Sequence, residues 1–303
     1  MELKGAYLIM EQKLEKPQWL KIKLTTNDNF INIKQTLKQY NLHTVCESAH
    51  CPNISECWNT GTATFMLMGD TCTRACKFCA VKTGNPMKNL DADEPKNLAK
   101  ALAEIKLFDY VVLTSVNRDD LADGGASHFA ECIKEVKKAY PEIIVEVLIP
   151  DFRADVEALR KIVEAKPEVI AHNIETVEGL QRKVRDARAN YKQSISVLEN
   201  VKKMNSKIYT KSSIMLGLGE EDEEVIQVMK DLRAIDVDIL TIGQYLRPTN
   251  WHLAVNEYIP PEKFEYFKNK ALELGFLFCA SGPFVRSSYR AGEMFLRNVV
   301  RKE

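Results

Sequence analysis

From about residue 65 onward, short apolar and β-branched runs alternate with segments whose apolar positions recur every three to four residues. FMLMG (65–69), YVVLTS (110–115), IIVEVLIP (143–150), EVIAHNIE (168–175), KIYTKSSIML (207–216) and DILTIG (238–243) have the length and composition of strands. A helix is predicted after each. The first has Leu98, Ala101, Leu102 and Ile105 on one face, behind Asp93 as a candidate N-cap and with Pro95 in the first turn. The next faces are Phe129, Cys132, Ile133 and Val136, then Val156, Leu159 and Val163, then Ile195, Leu198 and Val201. Val225, Met229 and Leu232 mark a fifth helix. Phe264, Phe267, Ala271 and Leu274 mark a sixth, stopped by Gly275.

Six β-α units in succession predict an α/β fold with a parallel sheet and outer helices, either open or barrel-like. In either form the active site is expected at the carboxyl ends of the strands. Residues 1–64 break the alternation and read as an N-terminal extension. Residues 65–275 form the β-α body, and 276–303 read as a C-terminal extension.

Composition narrows the function classes. Of 303 residues, 45% are hydrophobic and 28% charged, which excludes general disorder. Lys plus Arg and Asp plus Glu are 42 each, so a strongly cationic nucleic-acid binder is not expected. No run approaches the ~18 consecutive apolar residues of a membrane span, so no membrane partner is expected either. The N-terminal stretch has Glu2, Glu11 and Glu15 and no apolar core of signal-peptide type, which points to the cytoplasm.

Cysteine changes the picture most. Cys46, Cys51, Cys57, Cys72, Cys76 and Cys79, six of the eight in the chain, cluster where chance would put about one. A chain this long can build a core without disulfide staples, so metal or redox chemistry is the better expectation. Cys72, Cys76 and Cys79, in GDTCTRACKFCAV, directly follow the first strand and so lie on the first βα loop. Three thiolates there can hold three corners of a 4Fe–4S cubane, leaving the fourth iron open to a small-molecule ligand. Phe78 stands where it could pack beside that ligand. Structural zinc is the alternative and would want four tetrahedral ligands. Cys46, Cys51 and Cys57 also lack a fourth ligand, and their spacing fits neither a zinc knuckle nor a short redox pair. His43 or His50 could complete a zinc site there.

The trio at 72–79 resembles the signature of the radical S-adenosylmethionine superfamily. With VCESAHCPNISECW (45–58), TSVNRDDLADGGASHF (114–129), VRSSYRAGE (285–293) and KPQWLKIKL (16–24), the chain closely resembles the lipoyl synthase family from about residue 16 to 293. The resemblance implies a partial (β/α)6 barrel, two 4Fe–4S clusters and S-adenosyl-L-methionine. One cluster, on Cys72, Cys76 and Cys79, would bind S-adenosylmethionine and yield a 5′-deoxyadenosyl radical. The other, on Cys46, Cys51 and Cys57 with Ser288 of RSSY as fourth ligand, would be sacrificed as the sulfur source. The product would be a lipoyl group, made by inserting sulfur at carbons 6 and 8 of an octanoyl-lysine. The implied partners are an octanoylated carrier domain (glycine cleavage H protein or a 2-oxoacid dehydrogenase lipoyl domain), a low-potential donor such as ferredoxin or flavodoxin, and an iron–sulfur carrier for cluster rebuilding. An alkoxide is a harder donor than thiolate, which would suit a ligand that must leave. Alternatively, Ser287 and Ser288 cap a final helix.

Other residues carry weaker expectations. Asn117, Asp119 and Asp120 follow the second strand, and Asn173 and Glu175 end the fourth. Each group could bind the amino, carboxylate or ribose groups of S-adenosylmethionine, or merely cap loops. Gly124 and Gly125 are expected to turn the backbone. Arg182, Lys183, Arg185 and Arg188 form a basic run, either a solvated face or a dock for an acidic carrier. Cys132 and Cys279 read as buried structural thiols, and Trp19, Trp58 and Trp251 as packing residues. A radical sulfur-inserting enzyme of the biotin synthase kind accounts for the 72–79 trio but not for the 46–57 spacing or RSSY. A non-catalytic electron-transfer or zinc module leaves the β-α units and open ligand corners unexplained.

Overall fold

All six predicted strand runs enter a single sheet. The computed structural model describes residues 15–21, 27–59, 62–87, 89–105 and 110–289. The elements in chain order are α1 (Asp28–Gln39), β1 (His43–Thr44), α2 (Val45–Ser48), α3 (Ile54–Asn59), β2 (Thr64–Leu67), β3 (Thr71–Cys72), β4 (Lys82–Thr83), α4 (Glu94–Ile105), β5 (Tyr110–Ser115), α5 (Ala126–Ala139), β6 (Ile144–Leu148), α6 (Val156–Glu164), β7 (Val169–Ala171), α7 (Gln181–Val184), α8 (Tyr191–Met204), β8 (Tyr209–Leu216), α9 (Asp222–Ala234), β9 (Ile239–Gln244), α10 (Pro261–Glu273) and β10 (Phe278–Gly282).

The main sheet runs β1-β2-β5-β6-β7-β8-β9-β10. From β2 to β10 all neighbours are parallel, and β1 is antiparallel to β2. Among the described residues no pairing joins the two edges, so this is an open, partial barrel of six β-α units. The division expected after residue 275 does not coincide with the sheet edge. Phe278–Gly282 pair with Ile239–Gly243 as a seventh parallel strand. Likewise His43–Thr44, within the N-terminal extension, hydrogen-bond to β2. Residues 1–14 and 290–303, including any final helix that Ser287 and Ser288 could cap, lie outside the described residues.

Strand alternation explains the two faces of the sheet. Val111 and Leu113 join the core under the helices, whereas Tyr110 and Val112 meet Ile144, Val169 and Ile239 inside the barrel. Also inside, the Lys211 ammonium donates to both Glu146 oxygens at 2.8 and 2.9 Å, and the Tyr110 hydroxyl donates to the same carboxylate. These groups plug the amino-terminal end and leave the opposite mouth for chemistry. Gly275 ends α10 in the left-handed region (φ 95°), where a side chain would be strained.

Several expected packing roles change. Val156 is exposed, and α6 instead buries Ala158, Leu159, Ile162 and Val163. Trp58 is fully buried, but Trp19 and Trp251 are exposed, the latter under the Lys77 ammonium at 3.7 Å. Cys132 and Cys279 are buried as expected. The basic run is not one face. Arg182 and Lys183 are exposed, whereas Arg185 is buried and donates to Gln181 and Ser194. Arg188 is tied to Asp186 and the Thr73 carbonyl. The physical reason is that α7 is a single helical turn, so neighbouring basic residues point in different directions.

Candidate active site

The loop bearing Cys72, Cys76 and Cys79 springs from the carboxyl end of β2. Met68 and Gly69 take positive φ values of 67° and 91°, turning the chain into the short β3–β4 ladder. Arg74, between the first two cysteines, is the loop's anchor. Its guanidinium donates to Asp119 at 2.9 Å and to Asp151 at 2.7 Å, which follow the carboxyl ends of β5 and β6 respectively. Arg74 and Asp151 are almost fully buried. Burial disfavours the guanidinium's charge, but Asp119 and Asp151 outweigh it and hold its pKa above the ordinary value. Burial likewise opposes ionisation of both carboxyls, and Arg74 nonetheless holds them below the usual range.

Backbone contacts fix the remaining loop positions. The Thr73 N–H donates to Asn117 O at 3.0 Å, Lys77 N–H to Val184 O at 2.9 Å, and Ala75 N–H to the Asp186 carboxylate at 2.9 Å. His252 meets the Cys79 carbonyl at 2.9 Å. Asp119 and Asp120, candidates for cofactor contact, are engaged elsewhere: Asp119 by Arg74 and Thr73, Asp120 by Arg118.

The donor set suits an iron–sulfur cluster. Cys72 Sγ accepts N–H bonds from Arg74 and Asn117 at 3.4 Å, and Cys76 Sγ accepts from Asp186 at 3.3 Å. Such bonds stabilise metal-bound sulfur. Without metal, burial pushes the thiols of Cys76 and Cys79 up to about 11 and about 12. Glu175 lies close enough that its charge also raises both. Its own carboxyl is pushed up by burial, against Arg185 and Asn173. Asn173 donates to Glu175 at 3.1 Å, while its buried Oδ1 has no hydrogen-bond partner. An acceptor and a buried carboxylate together ask for a cation beside the cysteines. Phe78 packs against the cluster of Val184, Leu218 and Tyr245.

The second trio lies within the N-terminal extension and meets the segment that follows the last strand. Cys46 lies on α2, Cys57 on α3 and Cys51 between them. Asn53 donates to Phe284 O at 2.7 Å, and the Tyr289 hydroxyl reaches Glu56 at 3.3 Å. The Thr64 hydroxyl donates to Ser288 Oγ at 3.0 Å. Gly243 makes this approach possible, because a Cβ there would lie 2.1 Å from Val285 O. Burial, then Cys51, pushes the Cys46 thiol up to about 11, against the nearby N–H groups of Thr64 and Trp58, which pull it down. Burial raises Cys51 too, against Asn53 and the Arg286 charge.

Comparison with known proteins decides the family. A model of the radical SAM superfamily matches residues 66–232, and one for the N-terminal domain of lipoyl synthase matches residues 4–51. The chain is 56% identical over 296 residues to the mitochondrial lipoyl synthase of Bos taurus, covering 96% of this chain and 79% of that one. It is 55% identical over 298 residues to the lipoyl synthase of Halorubrum lacusprofundi, covering 97% and 95%. The chain belongs to the lipoyl synthase family. Among solved structures it is similar to methylornithine synthase (TM-score 0.54, 16% identity, 70% of this chain and 61% of that one). It is also similar to the FeFe-hydrogenase maturase HydG from Carboxydothermus hydrogenoformans (TM-score 0.56, 13% identity, 90% and 78%). Identities this low speak for the fold alone.

As a lipoyl synthase family member, the chain is a sulfur-inserting radical SAM enzyme. S-adenosylmethionine and two 4Fe–4S clusters are its cofactors, and lipoyl carrier proteins are its substrates. Its relatives include proteins named as mitochondrial and apicoplast, so the family is not confined to the cytoplasm. Among the described residues, no helix is long and apolar enough to cross a membrane. Sequence reasoning missed Arg74, Asp151 and Asp186 as loop anchors. Arg74 stood inside the cysteine motif, Asp151 follows a predicted strand and Asp186 lies within the basic run, but nothing local pairs them.

Removing Arg74 tests the anchor. Arg74→Met leaves two carboxylates without their partner, one of them deeply buried, and should cost ~3–5 kcal/mol in urea unfolding at neutral pH. Asp119 and Asp151 titrate below their ordinary values when folded. Their contribution is therefore present above the ordinary carboxylate range and lost as pH falls through it. The variant should lose less stability than the parent between pH 6 and 3. Equal acid sensitivity in both would contradict the role.

Proposed function

We propose that the chain inserts two sulfur atoms, at carbons 6 and 8 of an octanoyl-lysine on a carrier domain, and that the two cysteine trios divide the work. The observation that carries this reading is the meeting of Ser288 with Thr64 beside Cys46, although 224 residues separate the two hydroxyl-bearing positions. Cys72, Cys76 and Cys79 hold the cluster that receives S-adenosylmethionine. Cys46, Cys51, Cys57 and Ser288 hold the cluster that gives up sulfur. When bound, this cofactor set supplies reductive sulfonium cleavage, hydrogen abstraction from an unactivated alkyl carbon, and sulfide.

The chain's own residues orient and exclude. The Glu175 carboxylate and the unpartnered Asn173 Oδ1 receive the α-ammonium of S-adenosylmethionine. Asn117, at the end of β5, lies within reach of the same ligand, since its N–H already touches Cys72 Sγ. Phe78, packed against Val184, Leu218 and Tyr245 and one residue before Cys79, stands beside the bound S-adenosylmethionine. Asn53, Thr64 and Glu56 hold the described part of the tail, Phe284 to Tyr289, beside the second trio. As units, residues 1–64 supply the second trio, 65–275 the barrel, and 276–303 the tail ligand. All eight cysteines are free, which fits a reducing compartment such as the cytoplasm. The electron donor is of the ferredoxin or flavodoxin kind, and an iron–sulfur carrier rebuilds the spent cluster.

Two triple variants separate the roles. Cys72, Cys76 and Cys79 changed to Ala should abolish S-adenosylmethionine cleavage and retain about half of the iron. Cys46, Cys51 and Cys57 changed to Ala should still cleave S-adenosylmethionine yet yield no lipoyl peptide by mass spectrometry. Equal loss of cleavage in both would show that the assignment is wrong.

The exposed pair Arg182 and Lys183, on the turn whose Val184 carbonyl holds the cluster loop, provides the dock for the carrier. Reversing both to Glu should lower turnover on an intact octanoylated carrier several-fold at low salt and spare a short octanoyl-lysine peptide. Arg185 is excluded from this test because it is buried. Equal loss on both substrates would place the pair in the fold or the active site instead.

A further inference from the structure

Trp58 follows Cys57 on α3 and is fully buried, packed on Phe30 with ring centroids 4.9 Å apart. Packing does not explain its indole N–H. That donor is buried and has no hydrogen-bond partner, which folded interiors ordinarily avoid. Cys46, packed in the same core, is the sulfur near enough for this N–H and the backbone N–H of Thr64 to pull its thiol down. A neutral thiol is a weak acceptor, whereas a metal-bound thiolate carries charge and accepts well. Thr64 is engaged a second time, because its hydroxyl donates to Ser288 Oγ at 3.0 Å. One tryptophan and one threonine thus reach two proposed ligands, one from each end of the chain.

We propose that Trp58 and Thr64 are positioning residues of the sulfur-donating centre: the indole N–H hydrogen-bonds the Cys46 thiolate, and the Thr64 hydroxyl hydrogen-bonds the Ser288 oxygen. This rests on the assignment of Cys46, Cys51, Cys57 and Ser288 to one cluster and adds what governs its hold. Hydrogen bonds to cluster sulfur draw off negative charge and favour the reduced state. Outer partners of a metal ligand fix its orientation and tune its strength. The Thr64 hydroxyl keeps Ser288 aimed at the site, so its loss loosens the weakest of the four ligands.

The test uses the full chain carrying Cys72, Cys76 and Cys79 changed to Ala, so that any cluster present sits on the second trio. The chain has three tryptophans, and all are labelled with 15N in the indole. Pulsed EPR of the reduced cluster should show a 15N coupling and a proton coupling that disappears in D2O. The 15N coupling should persist in Trp19→Phe and Trp251→Phe, whose side chains are exposed, and vanish in Trp58→Phe, where the exchangeable proton coupling should weaken to what the Thr64 backbone N–H leaves. The labelled parent reports by itself if Trp58→Phe does not fold. A full cluster signal without 15N coupling overturns the Trp58 assignment while leaving the ligand assignment standing. Absence of any cluster contradicts the ligand assignment, and this inference with it. Thr64→Val, nearly isosteric, should lose iron to a chelator several-fold faster than the parent, and an unchanged rate overturns the Thr64 half.

Discussion

The arrangement at the barrel mouth depends on Arg74. A cysteine-rich loop has little apolar surface with which to hold itself in place, and its thiols repel one another once ionised. Arg74 answers this by reaching down between Asp119 and Asp151, two carboxylates supplied after different strands. A buried ion pair of this kind is a weak source of net stability but a strong constraint, since removing either side strands a charge. It converts the rigidity of the sheet into a fixed spacing for Cys72, Cys76 and Cys79. The backbone bonds from Asn117, Val184 and Asp186 then have a defined loop to act on.

The second trio follows a different logic. Its cysteines lie in a segment that adds only two residues to the sheet, and the tail that meets them lies beyond the last strand. Neither segment could hold the site alone. Gly243 admits the Val285 backbone, Asn53 fastens Phe284, and Thr64 on β2 bridges Cys46 and Ser288. On the proposed assignment, an oxygen ligand on a separable segment would let the site open without unfolding the barrel. The buried donor of Trp58 and the buried acceptor of Asn173 have no partners in the protein, which fits a cofactor beside each trio.

Much of this was legible in the sequence wherever the signal was local. The period-two and period-3.6 patterns located the six β-α units, and cysteine spacing marked both trios and the loop that carries one. RSSY, with the 46–57 spacing, pointed to the family. What escaped were features set by contacts distant in sequence. Phe278–Gly282 looked like part of a tail because a five-residue strand has no amphipathic signature when it lies at a sheet edge. Arg185 looked like one of four surface cations because burial depends on which side of a one-turn helix it leaves. Trp58 looked like simple packing, since composition does not reveal an unpaired indole N–H. Arg74 was silent for the same reason: its partners lie 45 and 77 residues away.

The central claim is that the sulfur held by Cys46, Cys51, Cys57 and Ser288 is the sulfur inserted. It is tested most directly by assembling the clusters with 34S-sulfide, removing free sulfide, and allowing one turnover on an octanoyl-lysine peptide in buffer containing 32S-sulfide. Mass spectrometry of the lipoyl peptide should find both sulfurs heavy. It should also find none formed by protein whose Cys46, Cys51 and Cys57 are Ala. Product carrying light sulfur on the first turnover would contradict the claim, because the sulfur would then have come from solution rather than from the protein.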